Sequence, residues 1–477
     1  MNYRMIKHVI AWILLFEAMF LAVPLITSVV YNEKAFFSIL ITITVCVAIG
    51  WLLLRKKPES KTIYSREGVV IVATSWIILS IFGALPFFIS GAIPSFLDAL
   101  FETVSGFTTT GASILQKVED LPKSLLMWRS FTHWVGGMGV LVFIMAFLPL
   151  GGAYNMHIMK AESPGPSVSK LVPRVRTTAL ILYCIYIALT VVQFICLLIA
   201  GMDVFDAINT SFATAGTGGF STKNDGMDGY SPTIQIIVTV FMLVFSINFN
   251  SYYFLLRGKI KDALNSEVKW FLLIVGIAIA SITANIANMF GSVSEAMRHA
   301  AFTVASIIST TGFATKDFNL WPEFSRAVIV LLMFIGACAG STGGGLKISR
   351  LMIFFKGISR EVRKLLHPKK VELITIDSHP VENSTVVSVG AYFACYIMIF
   401  IASVIALSFD KSDLVTNFTS VASCLNNIGP GLEMVGPTSN FGFLSPISKI
   451  VLIFDMLAGR LELFPILLLF TPATWKK

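Results

Sequence analysis

Charge is scarce in this sequence of 477 residues: Asp, Glu, Lys and Arg together make up 13% of it, whereas hydrophobic residues make up 55%. The mean hydropathy of +0.79 excludes a soluble protein. A helix needs about 20 consecutive apolar residues to cross the ~30 Å hydrocarbon core of a bilayer, and the chain contains many such runs. We therefore predict an all-α polytopic membrane protein.

Patterns that would indicate a disulfide, a metal site or an enzyme are also lacking. The six cysteines lie in apolar segments without a CxxC or His-rich spacing, so we predict that they are small buried apolar residues. The six histidines are scattered, and no paired acids or Ser/His/Asp set is apparent, which argues against an enzyme. No dinucleotide-binding fingerprint lies on a strand–helix unit. We expect this chain to bind no nucleotide.

The net charge of +9 would suit a nucleic-acid partner, but the position of the charges argues against one. Of the 36 Lys and Arg residues, 25 fall in segments that the apolar runs place on one side of the membrane. These segments are the N-terminus, 55–66, 160–176, 257–269, 347–370 and the C-terminus. Cytoplasmic loops of membrane proteins carry such an excess of basic residues. We predict that both termini are cytoplasmic and that anionic lipids, and no nucleic acid, contact the chain.

A short motif rich in Thr and Gly occurs four times, and internal repeats of this kind determine the fold. Its central glycines, separated by 94 to 117 residues, are Gly111, Gly218, Gly312 and Gly429. Each motif follows a half-length helical segment and precedes a further long apolar run. We predict two leading spans in 1–57 and then four repeats of span, half-length helix, loop and span, which gives ten spans. The repeats are predicted over 66–150, 174–262, 264–366 and 380–477.

The half-length helices indicate what the repeats do. A helix of ~11 residues reaches only about half-way through the hydrocarbon core, so each one must re-enter the membrane. Irregular backbone is tolerated there only if it is buried in protein or lines a watery cavity. Four such loops in one chain can meet around a central axis and offer a ring of carbonyl oxygens that replaces the hydration shell of K+. The alternative is that Thr and Gly serve only close helix packing. The predicted filter residues are Thr109, Thr110, Gly111, Gly216, Thr217, Gly218, Thr310, Thr311, Gly312, Asn426, Asn427, Ile428 and Gly429.

With these features the chain resembles the TrkH/TrkG membrane subunits of bacterial Trk potassium uptake systems, within the Trk/Ktr/HKT superfamily. The segments that carry the resemblance are Thr108–Ala112, Gly136–Gly139, Gly218–Thr222, Gly340–Lys347, Leu425–Leu432 and Gly459–Glu462. The resemblance implies that the four repeats surround one pore per chain in a pseudo-fourfold arrangement, that K+ is the transported ion and that the chain lies in the bacterial inner membrane. It also implies a homodimer and a cytosolic TrkA-type nucleotide-binding ring that regulates transport. The pair Gly216-Thr217 departs from the family pattern, in which a larger apolar residue is usual.

The last long segment of the third repeat, 324–358, is too long and too rich in glycine for a single helix. Its 35 residues would form a helix about 52 Å long, and each interior glycine costs ~1 kcal/mol relative to alanine. A phosphate-binding loop is excluded because Gly345 is followed by Leu346 and Lys347 instead of Lys-Ser or Lys-Thr. We predict a flexible gate loop over 336–347, below the filter. Its key residues are predicted to be Gly340, Ser341, Thr342, Gly343, Gly344, Gly345 and Lys347.

Charged residues inside apolar runs are costly and usually functional. Arg460 and Glu462 are two residues apart, so they do not share a helix face and need separate partners. We predict that Arg460 faces the pore below the filter, where it repels cations or bonds the gate loop. A structural pair with Asp455 or with a carboxylate elsewhere is the alternative. Arg129 and His133 lie near the outer end of a span, where a snorkelling anchor at the membrane surface is favoured.

The predicted function is K+ uptake driven by the membrane potential, which supplies ~2.3 kcal/mol per charge for each 100 mV. A sodium- or proton-coupled potassium symporter on the same fold is the alternative. Coupling would require a second ion site, for which the membrane-embedded acids are Glu17, Asp455 and Glu462. A basic stretch from Lys356 to Lys370 either reflects membrane topology and lipid contact or forms a docking surface for the regulatory ring.

Overall fold

The computed structural model describes residues 1–55, 58, 64–139, 175–370, 372–377 and 379–475. The chain is a helical membrane protein: among the described residues, six continuous helices are long and apolar enough to cross a bilayer. A pair of helices bent by 93° adds a seventh if it is counted as one span. Helices are numbered here in chain order.

Two apolar segments precede the repeats. The first comprises α1 (Tyr3–Phe20) and α2 (Ala22–Val30), which follow one another through Leu21, and the second is α3 (Ala35–Leu54). Each repeat then begins with a long apolar helix. These helices are α4 (Ser65–Gly83) with its continuation α5 (Leu85–Ile89), α8 (Val175–Ile199), α13 (Ser266–Ile286) and α17 (Asn383–Leu407).

A short helix follows the long one in each repeat. The four short helices are α6 (Phe96–Phe107), α9 (Val204–Ala215), α14 (Val293–Ile308) and α18 (Leu414–Leu425). Each begins at a side chain that accepts a hydrogen bond from a first-turn amide: Ser95, Asp203, Ser292 and Asp413. Partial burial alone would raise the pKa of Asp413, but hydrogen bonds from Thr416 outweigh it and hold this pKa below its ordinary value.

The second long segment of each repeat is interrupted. The segments are α7 (Lys123–Met138), α10 (Pro232–Ser246) with α11 (Phe249–Leu256), α15 (Glu323–Met333) with α16 (Ile348–Leu366), and α19 (Pro446–Arg460) with α20 (Phe464–Leu469). The sequence predicts an interruption only in the third repeat, and this is wrong for the second and fourth. Residues 140–150 of the first repeat's segment lie outside the described residues.

Local chemistry explains the two unexpected interruptions. Ile247 is extended after α10, and the Asn248 side chain starts α11 by accepting a hydrogen bond from the Asn250 amide at 2.9 Å. In the fourth repeat, Glu462 and Leu463 both have positive φ, so α19 cannot continue into α20. Neither break is marked by a run of glycines, which is why the sequence pattern missed them.

The remaining elements are small. They are α12 (Ile260–Ala263), α21 (Pro472–Trp475), 3-10 turns at Ala287–Met289, Phe318–Leu320, Ser408–Asp410 and Glu433–Val435, and two strands, β1 (Thr375–Ile376) and β2 (His379–Pro380). The strands pair antiparallel between α16 and α17, with Thr375 opposite Pro380. These four residues form the one sheet among the described residues, and the prediction of a helical polytopic membrane protein is confirmed.

The hydrophobic core surrounds the short helices. Phe101 and Phe107 of α6 are fully buried, and Phe107 packs edge-on against Trp128 of α7 at a ring distance of 5.9 Å. All six cysteines are free, and Cys46, Cys338 and Cys424 are buried as predicted. Cys184 is exposed instead, because it lies on the outward face of α8 together with exposed apolar side chains.

Candidate ion pathway

The four short helices end in the same backbone turn. We name these turns 1 to 4, and they comprise Thr108–Gly111, Gly216–Gly219, Ser309–Gly312 and Asn426–Gly429. In each turn the third amide donates back to a carbonyl in the last helical turn. The bonds are Thr110 to Ser105 at 2.9 Å, Gly218 to Ala213 at 2.9 Å, Thr311 to Ser306 at 2.8 Å and Ile428 to Ser423 at 2.9 Å. This is the Schellman motif, in which the helix ends at a left-handed residue.

The left-handed position in these turns is occupied by residues that disfavour it. It holds Thr109, Thr217, Thr310 and Asn427, whose φ values lie between 54° and 59°. Glycine is usual there and asparagine is tolerated, but a β-branched threonine is strained. Such strain persists only where surrounding contacts fix the backbone, and it clusters at functional sites. In turn 3 the hydroxyls of Ser309 and Thr311 are hydrogen bonded at 2.6 Å, and in turn 1 those of Thr108 and Thr110 at 2.8 Å.

The turns correct the register of the second repeat. Gly111, Gly312 and Gly429 each follow their left-handed residue by two positions and themselves have positive φ. The residue in that position of turn 2 is Gly219, with φ 78°, whereas Gly218 aligns with Thr110. The alignment of Gly218 with the other three central glycines is therefore wrong. Three glycines within four residues made the sequence ambiguous at this point.

The four turns contact one another in a closed ring. At the last glycine of each turn, a built Cβ atom would collide with the backbone carbonyl of the third residue in the next turn. The distances to these oxygens are 1.9 Å from Gly111 to Gly218, 1.9 Å from Gly219 to Thr311, 2.1 Å from Gly312 to Ile428 and 2.9 Å from Gly429 to Thr110. Turn 1 thus meets turn 2, turn 2 meets turn 3, turn 3 meets turn 4, and turn 4 returns to turn 1. Only glycine permits this approach.

The ring separates a cavity from the glycine-rich loop. A cavity of about 320 Å³ is lined by all four terminal glycines and by the segments that follow the turns. On the other side of the ring, the Thr109 hydroxyl of turn 1 accepts a hydrogen bond from Arg460 at 3.3 Å. The Thr310 hydroxyl of turn 3 accepts one from the Gly344 amide of the glycine-rich loop at 2.6 Å. All the predicted filter residues lie in the four turns.

The predicted gate residues lie in the loop between Met333 and Ile348. A Cβ at Gly344 would lie 2.7 Å from the Asn426 carbonyl oxygen, and one at Gly343 would lie 3.0 Å from the Ser309 carbonyl oxygen. The loop therefore lies against turns 3 and 4. Lys347 is buried and donates to the carbonyls of Gly343 and, at 3.1 Å, Gly344.

Backbone groups at the break between α10 and α11 form hydrogen bonds with this loop. The Cys338 amide donates to the Ser246 carbonyl at 3.1 Å, and the Phe249 amide donates to the Gly340 carbonyl at 3.0 Å. The Thr342 hydroxyl donates to the Phe245 carbonyl at 3.1 Å. The interruption in the second repeat thus exposes the backbone groups that bond the loop of the third repeat.

Arg460 joins turn 1 to the glycine-rich loop and to the end of α7. Its guanidinium donates to the Thr342 carbonyl at 3.0 Å, and to the carbonyls of Gly136 and Gly137 at 2.5 and 2.7 Å, besides its bond to Thr109. Asp455, the alternative partner, instead accepts from Ser403 at 2.8 Å. Arg460 is thus bonded to the glycine-rich loop and to turn 1, and its role in repelling cations or holding a gate stays a prediction.

Glu462 has a partner of its own, as the two-residue spacing requires. It forms an ion pair with Arg350 in the first turn of α16, and that guanidinium also lies 4.1 Å from the centre of the Tyr392 ring. Sequence reasoning did not identify Arg350 as a site residue. Its position within a predicted span was the signal that could have revealed it.

Arg129 and His133 are not surface anchors, contrary to the sequence-based expectation. Arg129 is 2% exposed and pairs with the buried Glu102 at 2.8 Å. His133 is fully buried; its Nδ1 atom lies 2.7 Å from the Gly106 carbonyl, and its Nε2 atom accepts from the Phe220 amide at 3.2 Å. The imidazole therefore joins the end of α6 to the segment after turn 2. The prediction failed because the partner Glu102 lies on another element.

The described residues contain no group of three or more His, Cys, Asp and Glu side chains arranged to hold a metal ion. The oxygens of the turns belong to backbone carbonyls, to Ser and Thr hydroxyls and to the side-chain amides of Asn426 and Asn427, and no carboxylate lies within turns 1 to 4.

Comparisons with known proteins agree with this architecture. The family described as "TrkH: Cation transport protein" matches residues 35–477. The Trk system potassium uptake protein TrkH of Escherichia coli (strain K12) is 37% identical over 491 residues, which cover 100% of both chains, and TrkG of the same strain is 31% identical over 99% of each. The crystal structure of the potassium transporter TrkH from Vibrio parahaemolyticus covers 100% of both chains, with a TM-score of 0.90 and 32% identity. The resemblance predicted from the sequence is confirmed, and the chain belongs to the TrkH family of cation transport proteins.

Proposed function

We propose that this chain takes up potassium through a single pore, in which turns 1 to 4 form the selectivity filter in a pseudo-fourfold arrangement. The observation that carries this proposal is the closed ring of contacts between each terminal glycine and the carbonyl of the next turn. A pore through the middle of one chain requires such closure, whereas glycines that serve only helix packing do not.

The chemistry of the ring favours a monovalent cation held by neutral oxygens. Backbone carbonyls can replace the hydration shell of K+, and the turns add hydroxyls without any carboxylate. The four short helices end at the ring, so the partly negative C-terminal ends of their dipoles also favour a cation there. The names of the E. coli and V. parahaemolyticus relatives, which are potassium proteins, support K+ as the transported ion.

The glycine-rich loop 334–347 is the proposed gate. It lies against turns 3 and 4 on the side opposite the cavity, and Arg460 places a positive charge between it and turn 1. A cation leaving the filter on this side would meet both the loop and the guanidinium. Uptake therefore requires the loop to move.

The remaining expectations follow from the family and the charge distribution. We place the chain in the bacterial inner membrane as a homodimer with both termini cytoplasmic, regulated by a cytosolic TrkA-type nucleotide-binding ring. The surface proposed to receive this ring, or anionic lipids, is the basic stretch of α16 and the residues after it: Lys356, Arg360, Arg363, Lys364, His367, Lys369 and Lys370. Three of these side chains are engaged within the chain: Lys356 donates to the Thr375 carbonyl, Arg360 pairs with Glu361 at 3.1 Å, and Arg363 pairs with Glu372.

Proton-coupled potassium symport is the second candidate, and one observation favours it. Glu17 of α1 is fully buried, and neither of its carboxylate oxygens has a hydrogen-bond partner among the described residues. An isolated buried carboxylate is costly and is usually neutralised by a proton. Such a group provides the proton-binding site that coupling to H+ would require.

The proposal is tested with the purified chain in liposomes. Uptake of radioactive Rb+ driven by an inside-negative potential is measured with K+ or Na+ as competitor, with and without an imposed proton gradient, and beside empty liposomes. We expect K+ to compete at a concentration at least about tenfold lower than Na+, which corresponds to about 1.4 kcal/mol. Equal competition by K+ and Na+ would refute the selective filter, and uptake that occurs only with a proton gradient would favour symport.

A further inference from the structure

The carboxylate of Glu267 joins two separate parts of the third repeat. Glu267 lies in the first turn of α13 and is 7% exposed. Its Oε1 atom accepts from the Ala339 amide at 2.8 Å and from the Ser349 amide at 3.0 Å. These two donors lie on either side of the glycine run 340–345. One side chain thus holds both flanks of the gate loop.

The bond to Glu267 gives the Ser349 amide, in the first turn of α16, the hydrogen-bond partner that the helix itself does not provide. The first amides of a helix have no partner within the helix, and Lys347, which precedes α16, makes no side-chain cap. A negative group at a helix N-terminus is also favoured by the helix dipole. Glu267 therefore acts as the cap of α16, although it belongs to another helix.

Two further contacts tie α16 to the same surroundings. Arg350, the residue after Ser349, pairs with Glu462 of the fourth repeat. Beyond the other end of α16, the Asp377 carboxylate accepts from the Ser266 amide at 2.9 Å. Residues 266 and 267 at the start of α13 are thus bonded to the gate loop, to the first turn of α16 and to the hairpin that follows it. Movement of α16 away from α13 must break the bond between Glu267 and Ser349.

We propose that Glu267 is a positioning residue that latches the gate loop closed and couples its release to displacement of α16. This inference rests on the proposed function of loop 334–347 as the gate. When α16 moves, Ser349 leaves the carboxylate, so the flank of the glycine run that leads into α16 is released while Ala339 stays bonded to Glu267, and the loop can withdraw from turns 3 and 4. A regulator that binds the exposed basic stretch of α16 would displace this helix.

The test compares Glu267→Ala and Glu267→Gln with wild type in the absence of any regulatory subunit. Rb+ uptake into liposomes, the ratio of K+ to Na+ competition and the thermal unfolding temperature are measured for each. We expect Glu267→Ala to raise uptake several-fold without changing the ratio, because the filter is untouched. Glu267→Gln retains an acceptor oxygen but lacks the charge, so a smaller rise is expected. The matched control is Glu323→Ala, which removes a first-turn carboxylate of the same repeat whose side chain is 87% exposed, and it should behave as wild type.

Combination with a shortened loop identifies how Glu267 acts. In a chain lacking residues 343–345, Glu267→Ala should add nothing, since the latch has no gate to hold. Wild-type uptake by both Glu267 variants would overturn the latch, as would an equal rise in the shortened background. If Glu267→Ala does not fold, Glu267→Gln decides alone by the same criteria. If the chain lacking residues 343–345 shows wild-type uptake, the loop is not the gate and the proposed function of the loop fails. Failure of the latch alone is distinguishable, because the shortened chain then still shows raised uptake.

Discussion

Replacing Gly312 with serine is expected to lower K+ uptake about tenfold or more and to abolish the preference for K+ over Na+. A Cβ atom at Gly312 would lie 2.1 Å from the Ile428 carbonyl oxygen, so turn 3 or turn 4 must move. The left-handed φ of 86° adds about 1–2 kcal/mol for a residue with a side chain. Displacement of one carbonyl opens the ring of turns that we propose as the selectivity filter. The measurement is Rb+ uptake with K+ and Na+ as competitors.

The matched control for this variant is Gly276→Ser. Gly276 lies in α13 of the same repeat, and a Cβ there would have no atom within 4 Å. This control should keep the uptake and selectivity of wild type. Unaltered selectivity in Gly312→Ser would show that turn 3 does not contribute to the filter, and the ring of four turns would no longer explain selection of K+.

Removing Gly343, Gly344 and Gly345 is expected to increase K+ uptake in the absence of a regulator, by a factor larger than that of any single substitution in the loop. These residues lie against the carbonyls of Ser309 and Asn426, so their removal clears the path from turns 3 and 4. The ratio of K+ to Na+ competition should stay at the wild-type value, because the turns are unchanged. Liposome flux and competition assays measure both quantities.

Arg460 provides the comparison for this deletion. Arg460→Ala removes the bonds to turn 1 and to Thr342, and should raise uptake less than the deletion does. Arg460→Lys keeps the positive charge but cannot reproduce the several hydrogen bonds of the guanidinium. Wild-type uptake by this variant would indicate that Arg460 acts by repelling cations, and raised uptake that it acts by bonding the loop. If the deletion variant conducts no more than wild type, loop 334–347 is not the barrier.

The general architecture could be predicted from the sequence because its signals are local. The short length of α6, α9, α14 and α18 follows from the spacing between the apolar runs and the Thr/Gly motifs. The glycine run from Gly336 to Gly345 likewise predicts that no helix continues there. These features depend on neighbouring residues and not on distant contacts.

The register of turn 2 could not be predicted, because it depends on a residue more than 80 positions away. A Cβ at Gly218 would lie 2.2 Å from the His133 ring, and one at Gly216 would lie 2.1 Å from the His133 carbonyl oxygen. His133 thus occupies the space that side chains in turn 2 would need. This contact gives a physical reason for Gly216 in the pair that departs from the family pattern.

The bonds that hold the proposed gate loop could not be predicted from the sequence either. Glu267 reaches Ala339 and Ser349 across 72 and 82 residues of sequence, and Arg460 reaches Gly136 across 324. No periodicity or motif records such pairs. The charges themselves were visible as costly residues in apolar segments, but their partners follow only from the packing of the repeats.

The central claim, that four turns of one chain form the filter, is tested most directly by locating the ion. A crystal of the protein grown in Rb+ allows the bound ion to be identified by anomalous scattering. We expect an Rb+ peak on the axis of the ring formed by Gly111, Gly219, Gly312, Gly429 and the residue before each. A chain that transports Rb+ but shows its peaks only outside this ring would contradict the account.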